Sequence, residues 1–215
     1  MIGRRAILTA AALPVISSRG ALASPERSNL RFAVTRDGSW IGQHTIRFRQ
    51  DSTTLEVEID VDIVVRLGPI VLYRYALKGR EVWRNGAFVS LDSATNDDGT
   101  QSRVKAMRTT NHVAVEASAA SRVLFSPDAI PLTHWNRLCM ERPLFDPQSG
   151  EAIESSVLLR GEDNVPLADG SAIRATRYSL VGKVALDDWY DTGHHWTALR
   201  APGRDGSTIE YRRAS

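Results

Sequence analysis

One cysteine, Cys139, stands among 215 residues, so no disulfide can form within the chain and its stability has to come from packing. No apolar stretch is long enough to span a bilayer as a helix; the run from Ala6 to Ile16 is short and broken by Thr9 and Pro14. The signatures of common chemistries are missing too: no zinc-type cysteine pairing, no His-Glu-x-x-His, no phosphate-cradling glycine loop and no Gly-x-Ser-x-Gly elbow. No long amphipathic helix is available to cover a sheet. An excess of one charge sign is also lacking. The chain has 27 basic and 25 acidic residues, and Arg4, Arg5 and Arg19 fall in the first 23, which contain no acid; the remainder has 24 against 25. That balance gives no electrostatic case for nucleic acid or an anionic membrane surface as a partner.

The N-terminus reads as a leader. Arg4-Arg5 is followed by a moderately apolar run and then by Ala21-Leu22-Ala23, a small-residue site that places cleavage before Ser24. Adjacent arginines ahead of Ala6, Ile7 and Leu8, with Arg19 near the cleavage site, resemble a twin-arginine signal. The expectation is a signal peptide over residues 1–23, export by the twin-arginine machinery, a periplasmic or secreted location, and one domain over residues 24–215.

That domain is organised around LEVEIDVDIVV, Leu55 to Val65. Its odd positions are all apolar, whereas Glu56, Glu58, Asp60 and Asp62 fill the even ones up to Asp62, the pattern of one strand with an oily face and a carboxylate face. Ser39 to Gln50 pairs with it if Asp51 to Thr54 is a loop, which puts Phe48 opposite Val57, Ile46 opposite Ile59, Arg49 opposite Glu56 and Arg47 opposite Glu58. Trp40, His44, Ile46 and Phe48 then share the inner face. On the other side, a turn at Gly68-Pro69 predicts Arg74 opposite Asp62 and Lys78 opposite Glu58, with Val71, Tyr73, Tyr75 and Leu77 together. Five Asn-Gly or Asp-Gly pairs, at Asp37, Asn85, Asp98, Asp169 and Asp205, mark further hairpins. The fold class expected is all-β: an antiparallel meander of about eleven strands, curled into a barrel or half-barrel, with a β-sandwich as the alternative. Only Ser126 to Met140 interrupts it, as one short helical or irregular segment. An outer-membrane barrel would be apolar outside and polar within, the reverse of this pattern, so the mature chain is not expected to span a membrane.

Three groups of residues bear on function. Asp187, Asp188, Asp191, His194 and His195 form a dense polar cluster, of which Asp191, His194 and His195 are weak metal candidates; strand alternation points neighbouring members to opposite faces, and a polar turn around Thr192-Gly193 is the simpler account of them. His134, Trp135, Cys139 and Glu141 lie on the irregular segment, where a thiol would need a nearby base to act as a nucleophile and where the segment could form a rim or lid. Finally, Trp40, His44, Phe48, Tyr73, Tyr75, Trp83, Phe88, Trp189 and Trp196, with His134 and Trp135, are candidate lining for an apolar interior, either a filled core or a ligand cavity. No catalytic residue and no cofactor is assigned.

YRYALKGREVWRNGAFVSLDSATNDDG at Tyr73 to Gly99, HWN at His134 to Asn136 and DDWYDTGHHWTALRAPGRDGSTIEY at Asp187 to Tyr211 resemble an exported bacterial family known as a domain of unknown function, number 6134. The resemblance rests on Glu81-x-Trp83-x-x-Gly86 and Trp189-Tyr190-Asp191 and runs over nearly the whole chain after the leader. It implies an exported β-domain and supplies no activity. The leading expectation is a non-enzymatic periplasmic protein that binds an apolar, lipid-like or amphipathic small molecule or an envelope partner; a hydrolase or metal-dependent enzyme and a structural envelope protein are the alternatives.

Overall fold

The alternation at Leu55 to Val65 becomes strand β3 (Thr54–Leu67), with Leu55, Val57, Ile59, Val61 and Ile63 buried and the acidic side chains on the outer face. The computed structural model describes residues 28–118 and 120–214; Arg4, Arg5 and the expected cleavage site lie outside the described residues. Around β3 the chain forms a meander: β1 (Leu30–Arg36), β2 (Ser39–Asp51), β3, β4 (Ile70–Arg84), β5 (Ala87–Asp97), β6 (Thr100–Arg108), β7 (Val113–Ala117) and β8 (Ala120–Phe125). A second meander follows: β11 (Ser155–Pro166), β12 (Ala172–Gly182), β13 (Leu186–Asp191), β14 (Trp196–Pro202) and β15 (Thr208–Arg213). β15 pairs with β1, which joins the two into one antiparallel sheet of thirteen strands with β8 and β11 at its edges. The sheet is open, a half-barrel rather than the alternative sandwich.

The register expected between β2 and β3 is the one found: Phe48 opposes Val57, Ile46 opposes Ile59, Arg49 opposes Glu56 and Arg47 opposes Glu58. Between β3 and β4 the pairing is offset by two residues from that expected. Lys78 opposes Asp60, Arg80 opposes Glu58 and Ala76 opposes Asp62. Faces are preserved because the offset is even. Its cause is a tight turn at Gly68-Pro69, where Leu67 pairs Ile70, followed by a bulge that leaves Leu72 as an extra residue in β4. A second bulge lies in β2, where Val34 pairs Gly42 but Thr35 pairs Trp40, leaving Ile41 over. It reverses the alternation: Ile41 turns inward and Trp40, expected inside, is 70% exposed.

Asp37-Gly38, Asn85-Gly86 and Asp98-Gly99 have positive φ at both residues, the conformation of two-residue hairpin turns that match the strand twist. Asp169-Gly170 and Asp205-Gly206 instead sit in longer loops, where only the glycine is left-handed.

Residues 126–154 run from one sheet edge to the other through the concave side. They contain β9 (Ile130–Pro131), a short 3-10 turn at Arg137–Met140 and β10 (Leu144–Phe145), which pairs parallel to β9. Ala129, Ile130, Leu132, Trp135, Cys139, Met140, Leu144 and Phe145 are all buried in the same core as the sheet's inner face. The segment expected as a rim or lid thus packs into the trough and fills much of it. It is fastened there by Ser93 Oγ to the Pro147 carbonyl (2.5 Å) and Ser102 Oγ to the Gln148 carbonyl (2.9 Å).

Candidate functional site

The inserted segment packs one end of the trough solidly. Trp135 meets Phe48 and Trp83 edge-on, and Phe145 packs against Phe88 and Phe125. Phe48, Trp83 and Trp135 thus belong to the core here rather than to any cavity wall. In their midst the completely buried Glu81 accepts hydrogen bonds from Trp83 Nε1 (2.6 Å) and Trp135 Nε1 (3.2 Å). Burial pushes its pKa up to about 7 against the lowering effect of the Trp83 and Trp135 indole N–H groups.

The other end is not filled. A cavity of about 590 Å³ opens there, within the range of roughly 300–1,000 Å³ typical of small-molecule sites. Its wall is mostly aliphatic, with Ile59, Val61 and Ile63 from β3 and Leu77 from β4. Among the candidate lining residues, His44, Tyr73, Tyr75 and His134 border it, and Tyr211 joins them from β15. The hydroxyls of Tyr75 and Tyr211 form no hydrogen bond among the described residues, and burial raises both pKa values, Tyr211 to about 12. His44 is buried with its ring between Phe32, Trp196 and Tyr211, and its Nε2 has no hydrogen-bond partner among the described residues. Burial, aided by nearby His134, lowers its pKa to about 3, so it is neutral.

His134 is held by its neighbours on several sides. Its backbone is left-handed (φ 65°), a conformation unfavourable for a non-glycine residue. Nδ1 lies 2.8 Å from Asp188 Oδ2, the ring stacks on Trp196 at 5.2 Å, and the carbonyl accepts the Tyr190 hydroxyl at 2.7 Å. Asp188 is completely buried, and its other oxygen accepts Trp196 Nε1 at 2.9 Å. In the neutral imidazole, the Asp188 acceptor places the proton on Nδ1 and leaves Nε2 as the acceptor. Trp196 is thus a support beneath His134, not an exposed wall.

At the mouth, the loop of residues 203–207 is tied at two points. Asp205 pairs with Arg36, and Arg204 reaches Asp97 on β5 at 2.9 Å, where Tyr73 also donates at 2.7 Å. Beside it stand exposed Leu67, Ile70 and Leu72 of the β3–β4 hairpin, and Leu72 also borders the cavity.

The remaining candidates lie elsewhere. Trp189 is on the outer face, packed with Val165, Ala175 and Ala198, bonded to Asp163 and flanked by Arg177 and Arg200. Asp191 caps a turn: it accepts the backbone N–H groups of Gly193 and His195 at 2.9 Å each and pairs with Arg213 at 3.0 Å. Burial would raise its pKa, but the His195 amide and the Arg213 guanidinium outweigh burial and hold it below the ordinary value. No gathering of three or more His, Cys, Asp or Glu side chains fit for a metal occurs among the described residues. Cys139 is buried, its thiol directed at the Pro131 carbonyl, and burial pushes its pKa up to about 12, unlike an activated nucleophile. His134 therefore turns to Asp188 and not to Cys139. Sequence reasoning named Asp188 only in a polar cluster and Glu81 and Tyr190 only in motifs, and it missed the contacts of Glu81 with Trp83 and Trp135, of Asp188 and Tyr190 with His134, and the place of Tyr211 in the cavity wall. One signal for the first was available: Glu81 continues the inward series Tyr75, Leu77, Gly79 on β4, where a charge is out of place.

A search of curated proteins gives no match. Among solved structures the chain is similar to a β-barrel-like protein of domain of unknown function DUF1849 from Brucella abortus, at 9% identity and a TM-score of 0.61, covering 87% of this chain and 95% of that one. At that identity the likeness is one of fold. The model of DUF6134, a domain of unknown function, matches residues 32–214, and the chain belongs to that family.

Proposed function

We propose that this chain is an exported binding protein for an apolar or amphipathic small molecule, carried in the cavity between the inner faces of β2 to β4, β14 and β15 and the inserted segment. The observation that carries the reading is the volume left unfilled: about 590 Å³ of mostly aliphatic wall beside a core that is otherwise densely packed. A few polar groups without partners among the described residues, the Tyr75 and Tyr211 hydroxyls included, stand in that wall as orientation points for a ligand. Release from the leader before Ser24 and a periplasmic location belong to the same proposal, supported by Arg4-Arg5 and Ala21-Leu22-Ala23.

The test is a native mass spectrum of the protein purified without detergent from its own cells, followed by titration with dodecanol read by tryptophan fluorescence. A bound apolar molecule at one per chain, or saturable dodecanol binding, is expected, and Ile63→Trp should weaken that binding about tenfold or more while the chain stays folded. A bare chain that takes up no dodecanol would overturn the proposal.

A further inference from the structure

We propose that His134 is the polar anchor of the cavity, and that it selects ligands whose head group carries an uncharged hydrogen-bond donor, a hydroxyl or amide N–H, over anionic or donor-free ones. This rests on the binding function proposed above and adds the chemistry of the ligand's polar end.

The imidazole is covered on one face by Trp196 and along its Nδ1 edge by Asp188, yet the side chain remains 17% exposed. The surface left over is the opposite face and the Nε2 edge, and His134 borders the cavity. Nε2 makes no hydrogen bond among the described residues, and in the neutral ring, with the proton held on Nδ1 by Asp188, it can only accept. Beside it sits the buried Asp188 carboxylate, bonded to the His134 ring and the Trp196 indole and, among the described residues, to no arginine or lysine. The cationic groups of this cavity, Arg36 and Arg204, are at the mouth and paired with Asp205 and Asp97. A carboxylate head would therefore meet both a lone pair and a second buried negative charge. The tyrosine hydroxyls can donate or accept, so they serve either kind of head group and do not discriminate. The left-handed backbone at His134, the Tyr190 hydroxyl on its carbonyl and the Asp188–Trp196 bond together fix this one ring in place, the arrangement by which an acceptor is pre-oriented.

Three probes of equal chain length separate the possibilities: dodecanol, its methyl ether and dodecanoate. The wild-type chain should prefer dodecanol over the ether by roughly tenfold, the worth of one neutral hydrogen bond, and should bind dodecanoate no better than the ether. Asp188→Asn presents an amide N–H to Nδ1 and moves the imidazole proton to Nε2, so the preference for alcohol over ether should collapse. Since that variant could unfold, a long-range ¹H–¹⁵N spectrum of the wild-type histidines provides a second reading: His134 in the Nδ1–H form, its Nε2 signal moving when dodecanol is added. Equal binding of alcohol and ether, or a still Nε2 signal, overturns the anchor and leaves the binding function intact. Failure of all three probes to bind overturns the anchor, and, where the purified chain is also bare, the binding function with it.

Discussion

Glu81 and His44 are buried ionisable residues with opposite consequences for stability. In the unfolded chain Glu81 ionises near 4.5, whereas the folded chain holds its proton until about pH 7. Across that window the folded state binds more protons, so its stability falls as pH rises, by about 3 kcal/mol in all. His44 runs the other way: the unfolded chain gains a proton below about 6.5 that the folded chain refuses until about 3, so stability rises from pH 3 to 6.5. Between 4.5 and 6.5 the two oppose each other and the wild-type profile is flattened. Glu81→Gln should remove the falling component, so that its stability relative to wild type improves by about 3 kcal/mol from pH 4.5 to 7 in urea unfolding followed by tryptophan fluorescence. Parallel curves would mean that the folded carboxyl is already ionised at pH 5. His44→Phe should do the reverse, with its largest relative gain below pH 4. Of these residues His44 was legible as inward from the alternation of β2, and Glu81 from that of β4. The pairing of Asp188 with His134 was not, because 54 positions separate them and no local pattern records which strand a loop residue will lie against.

At the level of single strands, two bulges decide what faces where. Alternation read from the sequence is reliable only while pairing is one to one, and an extra residue in β2 and another in β4 turn Trp40 out and shift the β3–β4 register. The hairpin turns were legible because Asn-Gly and Asp-Gly carry their backbone angles with them; a bulge has no such signature. Gly42 marks the β2 irregularity. A Cβ at Gly42 would lie 2.1 Å from the Asp62 carbonyl oxygen, whereas at Gly79 it would meet only Ile59 and Leu77 side chains at 3.6 Å and beyond. Gly42→Ala should therefore cost about 3 kcal/mol or more, while Gly79→Ala should be neutral or stabilise by up to about 1 kcal/mol; thermal unfolding of the two variants side by side checks the contrast. The outer charge ladder, by comparison, contributes little. Pairs such as Arg80–Glu56 at 2.7 Å stand in water, which screens them, and Arg80→Ala should move the melting temperature by only a few degrees.

For the molecule as a whole, sequence patterns reach the meanders and stop short of how they are assembled. Local turn chemistry specifies each hairpin, but the burial of residues 126–154 in the trough and the pairing of β1 with β15 depend on contacts across most of the chain. The β1–β15 pairing places the two ends of the domain side by side, with Ala214 N bonded to the Arg31 carbonyl at 2.7 Å. A circular permutant that links residue 214 to residue 28 with a short glycine-serine segment, and opens the chain within 167–171, should fold to the same sheet with a melting temperature within a few degrees of the parent; failure to fold would mean that the exposed turn is needed as a nucleus. The same seam sets a timetable. β15 is the last of these strands to leave the ribosome, and until it emerges the middle of the sheet has two unpaired edges and the trough lacks one wall. A chain truncated before Thr208 should accordingly be bound by chaperones and cleaved by proteases, because the two meanders cannot join until β15 has docked beside β1.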